Sequence, residues 1–222
     1  MNRVHVLQTI IDRLGARRYL EIGVQSGDTL FPLRVRKKLA VDPRFLITTR
    51  AKLDWVRWNF CNIFNSYYEM TSDMFFSKHG GALAQRGLDV VFVDGLHTYE
   101  QSLKDVENSL RYLSVNGVIV MDDCNPPSEG AAAPSKAPDQ MVWTGDVWKT
   151  VAFLRSTRAD LNVVTLDCVY GIGIVVRGTP ETRLAYMPHQ ISSLTYTDLD
   201  ADRERILNLK TSTYLNELVA TL

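Results

Sequence analysis

Apolar positions along the chain change their period several times, and each change marks a structural element. Val4, Leu7, Ile10, Ile11 and Leu14 recur at helical spacing and Gly15 supplies a stop, which predicts an N-terminal helix. Arg18 to Gly23 (RYLEIG) reads as a short buried strand, and Lys38 to Asp42 (KLAVD) as a second, cut off by Pro43. Ser66 to Met70 (SYYEM) is a third with a weaker pattern. Leu88 to Asp94 (LDVVFVD) is nearly continuous in apolar residues, as in a strand covered on both faces. Thr98 to Leu113 then predicts a helix with Leu103, Val106, Leu110 and Leu113 along one side. Thr98 and Gln101 have the spacing of a capping box at its start. Asn116-Gly117 is expected to turn the chain into the strand Val118 to Met121 (VIVM). Strand, amphipathic helix and strand in this order make a βαβ unit, so the sheet is parallel there.

Beyond that unit, Asn125 to Gln140 is rich in Pro, Ala, Ser and Gly and too long for a simple connector. Gly145 to Arg158 resumes a helical pattern with Val147, Val151 and Leu154 on one side. Asn162 to Leu166 and Ile172 to Arg177 read as two strands joined by a link too short for a crossover helix, hence antiparallel. Thr197 to Leu222 reads as a polar-apolar helical tail. The expected architecture is α/β: a Rossmann-like open sheet, mostly parallel with an antiparallel last strand, and helices on both faces. Residues 1–180 form one domain, with 181–222 a helical extension rather than a second domain.

Composition narrows the partners. Lys plus Arg and Asp plus Glu number 25 each among the 222 residues, so there is no basic excess to hold a nucleic-acid backbone. A small substrate, neutral or with an anionic head, is expected instead. Cys61, Cys124 and Cys168 form no CxxC pair, which fits a reducing compartment and excludes a disulfide framework or thiolate zinc site. The first residues lack the charged-then-apolar order of a signal peptide, and no apolar run can span a bilayer. The expectation is a cytoplasmic protein with no membrane partner. The leucine-rich tail could cover a second copy as a homodimer or pack on its own domain.

Candidate chemistry gathers at the strand ends. Gly23 and Gly27 in EIGVQSGD allow a sharp turn and close backbone approach to a ligand. Asp42 ends the second strand 21 residues after Glu21, placed to accept hydrogen bonds from ribose hydroxyls across the crevice. The spacing is ExGxxxG rather than GxGxxG, which disfavours a nicotinamide or flavin dinucleotide. Asp94 closes the fourth strand, and Asp122 with Asp123 the fifth. Three carboxylates converging at neighbouring strand tips repel unless neutralised, and suit Mg²⁺ or another hard divalent cation. Their alternative role is to cap the following helices or bond the loops. His97, three residues after Asp94, can act there as general base, or simply bond the start of the next helix.

The order EIGVQSGD, VD, VFVDGLHTYEQSLKD and LSVNGVIVMDD resembles class I S-adenosylmethionine-dependent methyltransferases over residues 15–177. It is most similar to the branch of metal-dependent small-molecule O-methyltransferases acting on sugars, macrolides and catechols. The resemblance implies that Glu21, Gly23, Gly27 and Asp42 hold the methionine and ribose parts of S-adenosylmethionine. It places Ser72 and Asp73 near the adenine, and Asp94 at both cofactor and metal. It also implies a Mg²⁺ site at Asp94, Asp122 and Asp123, with His97 as base. Macrolide-sugar methyltransferases match more closely than the catechol type, which carries Lys where His97 stands. Asn125-Pro126-Pro127 looks like the NPPY signature of N-methyltransferases, but it follows the fifth strand and Ser128 replaces the aromatic residue. The implied activity is methyl transfer to a hydroxyl of a sugar or polyhydroxylated natural product. A metal-independent C-, N- or O-methyltransferase and a non-catalytic cofactor-binding module are the alternatives.

Overall fold

Helix α1 (Arg3–Leu14) begins where the Asn2 side chain accepts the His5 backbone N–H at 2.9 Å. It ends where Gly15 adopts a left-handed φ of 58° and its N–H caps the last turn. This computed structural model describes residues 1–222. β1 (Arg18–Ile22) and β2 (Lys37–Asp42) follow, then α2 (Thr49–Trp58), a 3₁₀ segment Phe60–Phe64 and β3 (Ser66–Glu69). Next come α3 (Ser72–Arg86), β4 (Leu88–Val93), α4 (Tyr99–Tyr112), β5 (Leu113–Met121) and α5 (Trp148–Thr157). The chain continues through β6 (Leu161–Asp167), β7 (Ile172–Arg177), α6 (Pro188–Ser193), α7 (Tyr196–Ala201) and α8 (Arg203–Leu207). It closes with β8 (Leu209–Thr211) and α9 (Tyr214–Thr221).

All eight strands lie in one sheet in the order β3-β2-β1-β4-β5-β7-β6-β8. Strands β1 to β5 pair in parallel, and β7 runs antiparallel to both β5 and β6. Successive residues of β4 face opposite sides: Val91 and Val93 join one core with Leu20, Ile119 and Trp148. Val90 and Phe92 join the other with Tyr19, Val118 and the inner face of α1. Burial on both faces explains why these strands read as continuous apolar runs. The order of strands reverses between β1 and β4, with β2 and β3 added on one side and β4 and β5 on the other, so the crevice for a ligand lies at their carboxyl ends.

The expected α/β sheet, parallel except for its β7 strand, is the observed one. Three local expectations are corrected. Asn116-Gly117 does not turn: it lies inside β5, where the register against β4 shifts between Leu88 and Val90. Gly117 is needed there because a Cβ would stand 2.7 Å from the Leu113 side chain. Only half of the expected capping box forms. Thr98 accepts the Gln101 N–H, but the Gln101 side chain turns to Ser72 and Asp105. The tail is not one helix, because Asn208 takes a left-handed φ of 47° and ends α8. The chain then extends as β8, parallel to β6, before α9 packs Leu215 and Leu218 into the α1 side of the core. Helices α2 and α3 were not foreseen. No helix is long and apolar enough to cross a membrane.

Candidate active site

The carboxyl ends of β1, β2, β4 and β5 open into a cavity of about 1140 Å³, ample for a nucleoside-sized cofactor together with a small acceptor. β1 ends in Gly23, whose φ of 85° directs the backbone across the tip of β4. A Cβ at Gly23 would lie 1.8 Å from the carbonyl oxygen of Asp94, so only glycine fits this crossing. The turn continues through Gln25, a non-glycine residue at φ 46°, and Gly27 at φ 86°. Asp42 locks the turn from β2. Its Oδ2 accepts the Gln25 N–H at 2.8 Å and its Oδ1 the Arg44 N–H at 2.7 Å. Each oxygen keeps a further lone pair, so the carboxylate is held rigid and can still accept from vicinal hydroxyls.

Glu21 is fully buried on the floor and accepts the Tyr19 hydroxyl at 2.6 Å. Burial pushes its carboxyl up to about 8, although the Tyr19 bond works in the other direction. At the far wall, Ser72 begins α3, and its hydroxyl accepts from Gln101 at 3.2 Å. Asp73 turns aside to pair with Lys104 at 2.5 Å. Beside Ser72 lies Asp105, buried on α4 and pushed up to about 6 by that burial.

The acidic cluster sits at the tips of β4 and β5. Asp122 and Asp123 follow the end of β5, where Asp123 adopts a left-handed φ of 61° and the two side chains take different partners. Asp123 joins Asp94 and His97, with one ligand atom from each lying within 4.8 Å of the others. His97 Nδ1 is 3.0 Å from Asp123 Oδ2, and Nε2 is 3.4 Å from Asp94 Oδ1. Burial alone would lower the imidazole, but the hydrogen bonds to Asp123 and Asp94 outweigh it and hold His97 up at about 10. Asp122 stands apart from this trio. It is nearly fully buried and its Oδ2 accepts from Arg3 Nη1 at 2.7 Å. The same guanidinium nitrogen reaches Asp94 Oδ2 at 3.1 Å. Burial first, then Asp94 and Asp123, push Asp122 up to about 7 even with Arg3 present.

Lys136, Met141, Val142 and Trp143 line this end of the cavity. Trp143 Nε1 donates to the Ala133 carbonyl at 2.7 Å, fixing the indole over His97 with ring centres 5.1 Å apart. Gly145, at φ 61°, permits the approach: a Cβ there would meet the His97 carbonyl oxygen at 1.6 Å.

Glu21, Gly23, Asp42, Ser72, Asp73, Asp94, His97, Asp122 and Asp123 all line the one cavity, with Gly27 just behind it in the turn. Of the three acids read as metal ligands, the fold groups Asp94 and Asp123 with His97 and gives Asp122 to Arg3. The reading missed Arg3, Gln101 and Asp105. Arg3 is a lone polar residue in the first turn of a distant helix, and nothing in its local pattern signals the contact. Asp105 did carry a signal, being an acid on the inward face of a helix otherwise marked by Leu103, Val106 and Leu110.

Residues 20–124 match the model of the Methyltransf_24 family, described as a methyltransferase domain. No curated protein matches the chain. Among solved structures, the O-methyltransferase TomG of Streptomyces achromogenes, involved in tomaymycin synthesis and bound to S-adenosylmethionine, superposes with a TM-score of 0.58. It is 16% identical, with 78% of each chain covered. An O-methyltransferase of Bacillus cereus in complex with S-adenosylhomocysteine has a TM-score of 0.58 at 14% identity, covering 80% of this chain and 82% of that one. A putative caffeoyl-CoA O-methyltransferase of Staphylococcus aureus gives the same score and identity, covering 80% and 85%. At such identities the likenesses concern the fold.

Proposed function

We propose that the chain is a class I S-adenosylmethionine-dependent methyltransferase that methylates a hydroxyl of a small polyhydroxylated acceptor, a sugar or natural product, with the help of a divalent cation; the methyltransferase-domain match over residues 20–124 supports this reading. The observation that carries this reading is the convergence of Asp94, Asp123 and His97 in the same cavity as the Gly23 turn and Asp42. The residues fit both groups. A rigid carboxylate at Asp42 faces a cavity large enough for the cofactor, and the carboxylate oxygens of Asp94 and Asp123 suit Mg²⁺ or another hard divalent cation.

When bound, the cofactor supplies an electrophilic methyl group on its sulfonium, so the protein's task is to position the acceptor oxygen. Glu21, Gly23, Gly27 and Asp42 form the methionine and ribose side, and Ser72 with Asp73 the adenine side. Asp73, drawn towards Lys104, is the loosest fit of these. Asp94 and Asp123 would hold the cation, whose chemistry there would be to orient vicinal acceptor oxygens and lower the pKa of the attacking one. Asp122 supports this arrangement by anchoring Arg3, which in turn orients Asp94. Were Asp94 and Asp123 engaged as ligands, His97 would lose the two partners that keep it protonated, and its imidazole would be free to take the proton of the acceptor hydroxyl. Trp143 and the 125–140 segment shield the reacting atoms from water.

Turnover on a panel of polyols should vanish in chelator and return with Mg²⁺. His97→Asn should lower kcat by roughly 10²- to 10⁴-fold while calorimetric binding of S-adenosylmethionine persists. Full activity in chelator would remove the cation from this reading. One observation favours a second reading without metal: Arg3 already lies between Asp94 and Asp122 as a positive charge. In that case activity resists chelator, Arg3→Met abolishes it, and titrated Mn²⁺ does not bind.

A further inference from the structure

Helix α2 contributes no buried residue to the protein. Arg50, Leu53, Asp54, Arg57 and Trp58 follow the i, i+3, i+4, i+7, i+8 spacing of a single face, and that face is exposed throughout. The 3₁₀ segment continues it with Phe60, Ile63 and Phe64. Trp58 is 84% exposed, Phe60 67% and Leu53 64%, while Ile63 and Phe64 are each more than half exposed. Phe60 and Phe64 touch edge to face, with ring centres 6.1 Å apart.

These side chains are not loose ends of a mobile loop. Trp55 stacks on Phe31 at 5.6 Å from the inner side, and Lys52 lies 3.9 Å over the Tyr67 ring. Asn59 donates to the carbonyls of Phe31 and Leu33 at 2.9 and 2.8 Å. Asn62 donates to Phe31 and receives the buried Lys38 ammonium at 2.5 Å. The segment is thus fixed on its inner side by the Trp55–Phe31 stack and the Asn59 and Asn62 hydrogen bonds, and still holds Leu53, Trp58, Phe60, Ile63 and Phe64 outward.

The surrounding charge is equally one-sided. Residues 34–64 carry eight Lys or Arg against Asp42 and Asp54, a net charge of +6. The whole chain has 25 charges of each sign, so everything outside this segment sums to −6. Lys38 and Asp42 are buried and cancel, leaving the excess on the surface. A rigid apolar ridge within the basic segment of an electrically neutral molecule matches an anionic surface with an apolar interior.

We propose that α2 and Phe60–Phe64 dock the protein on an anionic lipid bilayer, lying in the plane of the interface. Trp58, Phe60 and Phe64 enter the acyl boundary, while Arg50, Arg57 and their basic neighbours meet the headgroups. The lack of a spanning apolar run led to the expectation of no membrane partner. The asymmetry becomes visible only when charge is counted by segment. A second copy of the chain is the poorer occupant, since two +6 surfaces would face each other. Nucleic acid would leave Leu53 and Ile63 without a role. Arg44 and Leu46, which line the active-site cavity, lead directly into α2, so docking places the crevice beside the membrane.

The test is co-sedimentation of the full chain with phosphatidylcholine vesicles, alone or mixed with phosphatidylglycerol. The expected result is binding to the mixed vesicles that falls by about tenfold or more on neutral ones or in high salt. The exposed-site variant W58S/F60S/F64S should lose binding by a similar factor at an unchanged Tm. Absence of binding by folded wild-type protein overturns the proposal, as does a triple variant that binds equally well. Sedimentation velocity without lipid supplies the other arm: a concentration-dependent dimer abolished by the same variant assigns the ridge to a second copy. Tighter binding to a single-stranded oligonucleotide than to vesicles likewise overturns it.

Discussion

At the carboxyl edge of the sheet, charged groups are withdrawn from water and matched to one another, whereas on the outer face of α2 apolar groups are held in water with no match. In the first region Arg3, Asp94, His97, Asp122 and Asp123 share hydrogen bonds inside the fold. In the second, Leu53, Trp58 and Phe60 contribute nothing to either core. Buried charge costs stability unless paired, and exposed apolar area forgoes the stabilisation of burial. Neither arrangement helps the chain to fold, and both are what a protein shows where it meets something else. The contrast also predicts how each region answers substitution: the crevice should be sensitive and the ridge indifferent.

The sharpest way to break that contrast is Gly23→Ala. A methyl group 1.8 Å from the Asp94 carbonyl, at a φ of 85°, must push β1 and β4 apart. A loss above about 3 kcal/mol is expected in denaturant titration, together with loss of cofactor binding. A loss below about 1 kcal/mol would mean that the turn relaxes freely.

Glu21→Gln acts through pH. The Glu21 carboxyl is raised from 4.5 to about 8, so the folded state holds this proton more firmly than the unfolded chain. That contribution is complete below pH 4.5 and is lost as pH rises through about 8. The Gln variant keeps an acceptor for Tyr19 and has no such loss. It should match the wild type near pH 4 and exceed it by up to about 4 kcal/mol at pH 8–9, read from Tm against pH. Parallel pH curves for the two proteins would mean that Glu21 is ionised in the fold.

Arg3→Met removes the counter-charge of Asp94 and Asp122. Because Arg3 is more than a third exposed, solvent screening reduces the effect to about 1–2 kcal/mol at pH 8. The deficit should shrink towards pH 5, where Asp122, already raised to about 7, takes up a proton. A pH-independent deficit would locate the effect in lost packing of the Arg3 stem. The smallest effect belongs to the ridge: W58S/F60S/F64S should stay within about 0.5 kcal/mol of wild type. A larger loss would show that α2 helps to hold the fold, and would erase the comparison.

Much of the crevice was legible because its residues sit at the ends of strongly patterned strands. Gly23 follows RYLEI, Asp42 ends KKLAVD, and Asp94 follows LDVVFV, so their convergence follows from parallel pairing alone. The grouping within the cluster was not legible. Asp122 and Asp123 look equivalent in sequence, yet past the end of β5 the left-handed φ of Asp123 sends one to Arg3 and the other to His97. Arg3 lies 91 residues from Asp94 and 119 from Asp122, beyond the reach of any local pattern. The tail shows the same limit. Its leucines fit a helical period, but pairing with the open edge of β6 satisfies the backbone of Leu209–Thr211 better than another helical turn would.

The sequence by itself determined the periodicities, and with them the alternation of strands and helices, the parallel sheet and the strand ends where chemistry collects. These are local properties, set by which side chains can share a face at a period of 2 or 3.6 residues. Tertiary structure alone decided which acid meets which base, which helix lends an arginine to the crevice, and which apolar face stays in water. Those outcomes depend on side chains brought together across the sheet, and their energies exist only once the chain has closed around them.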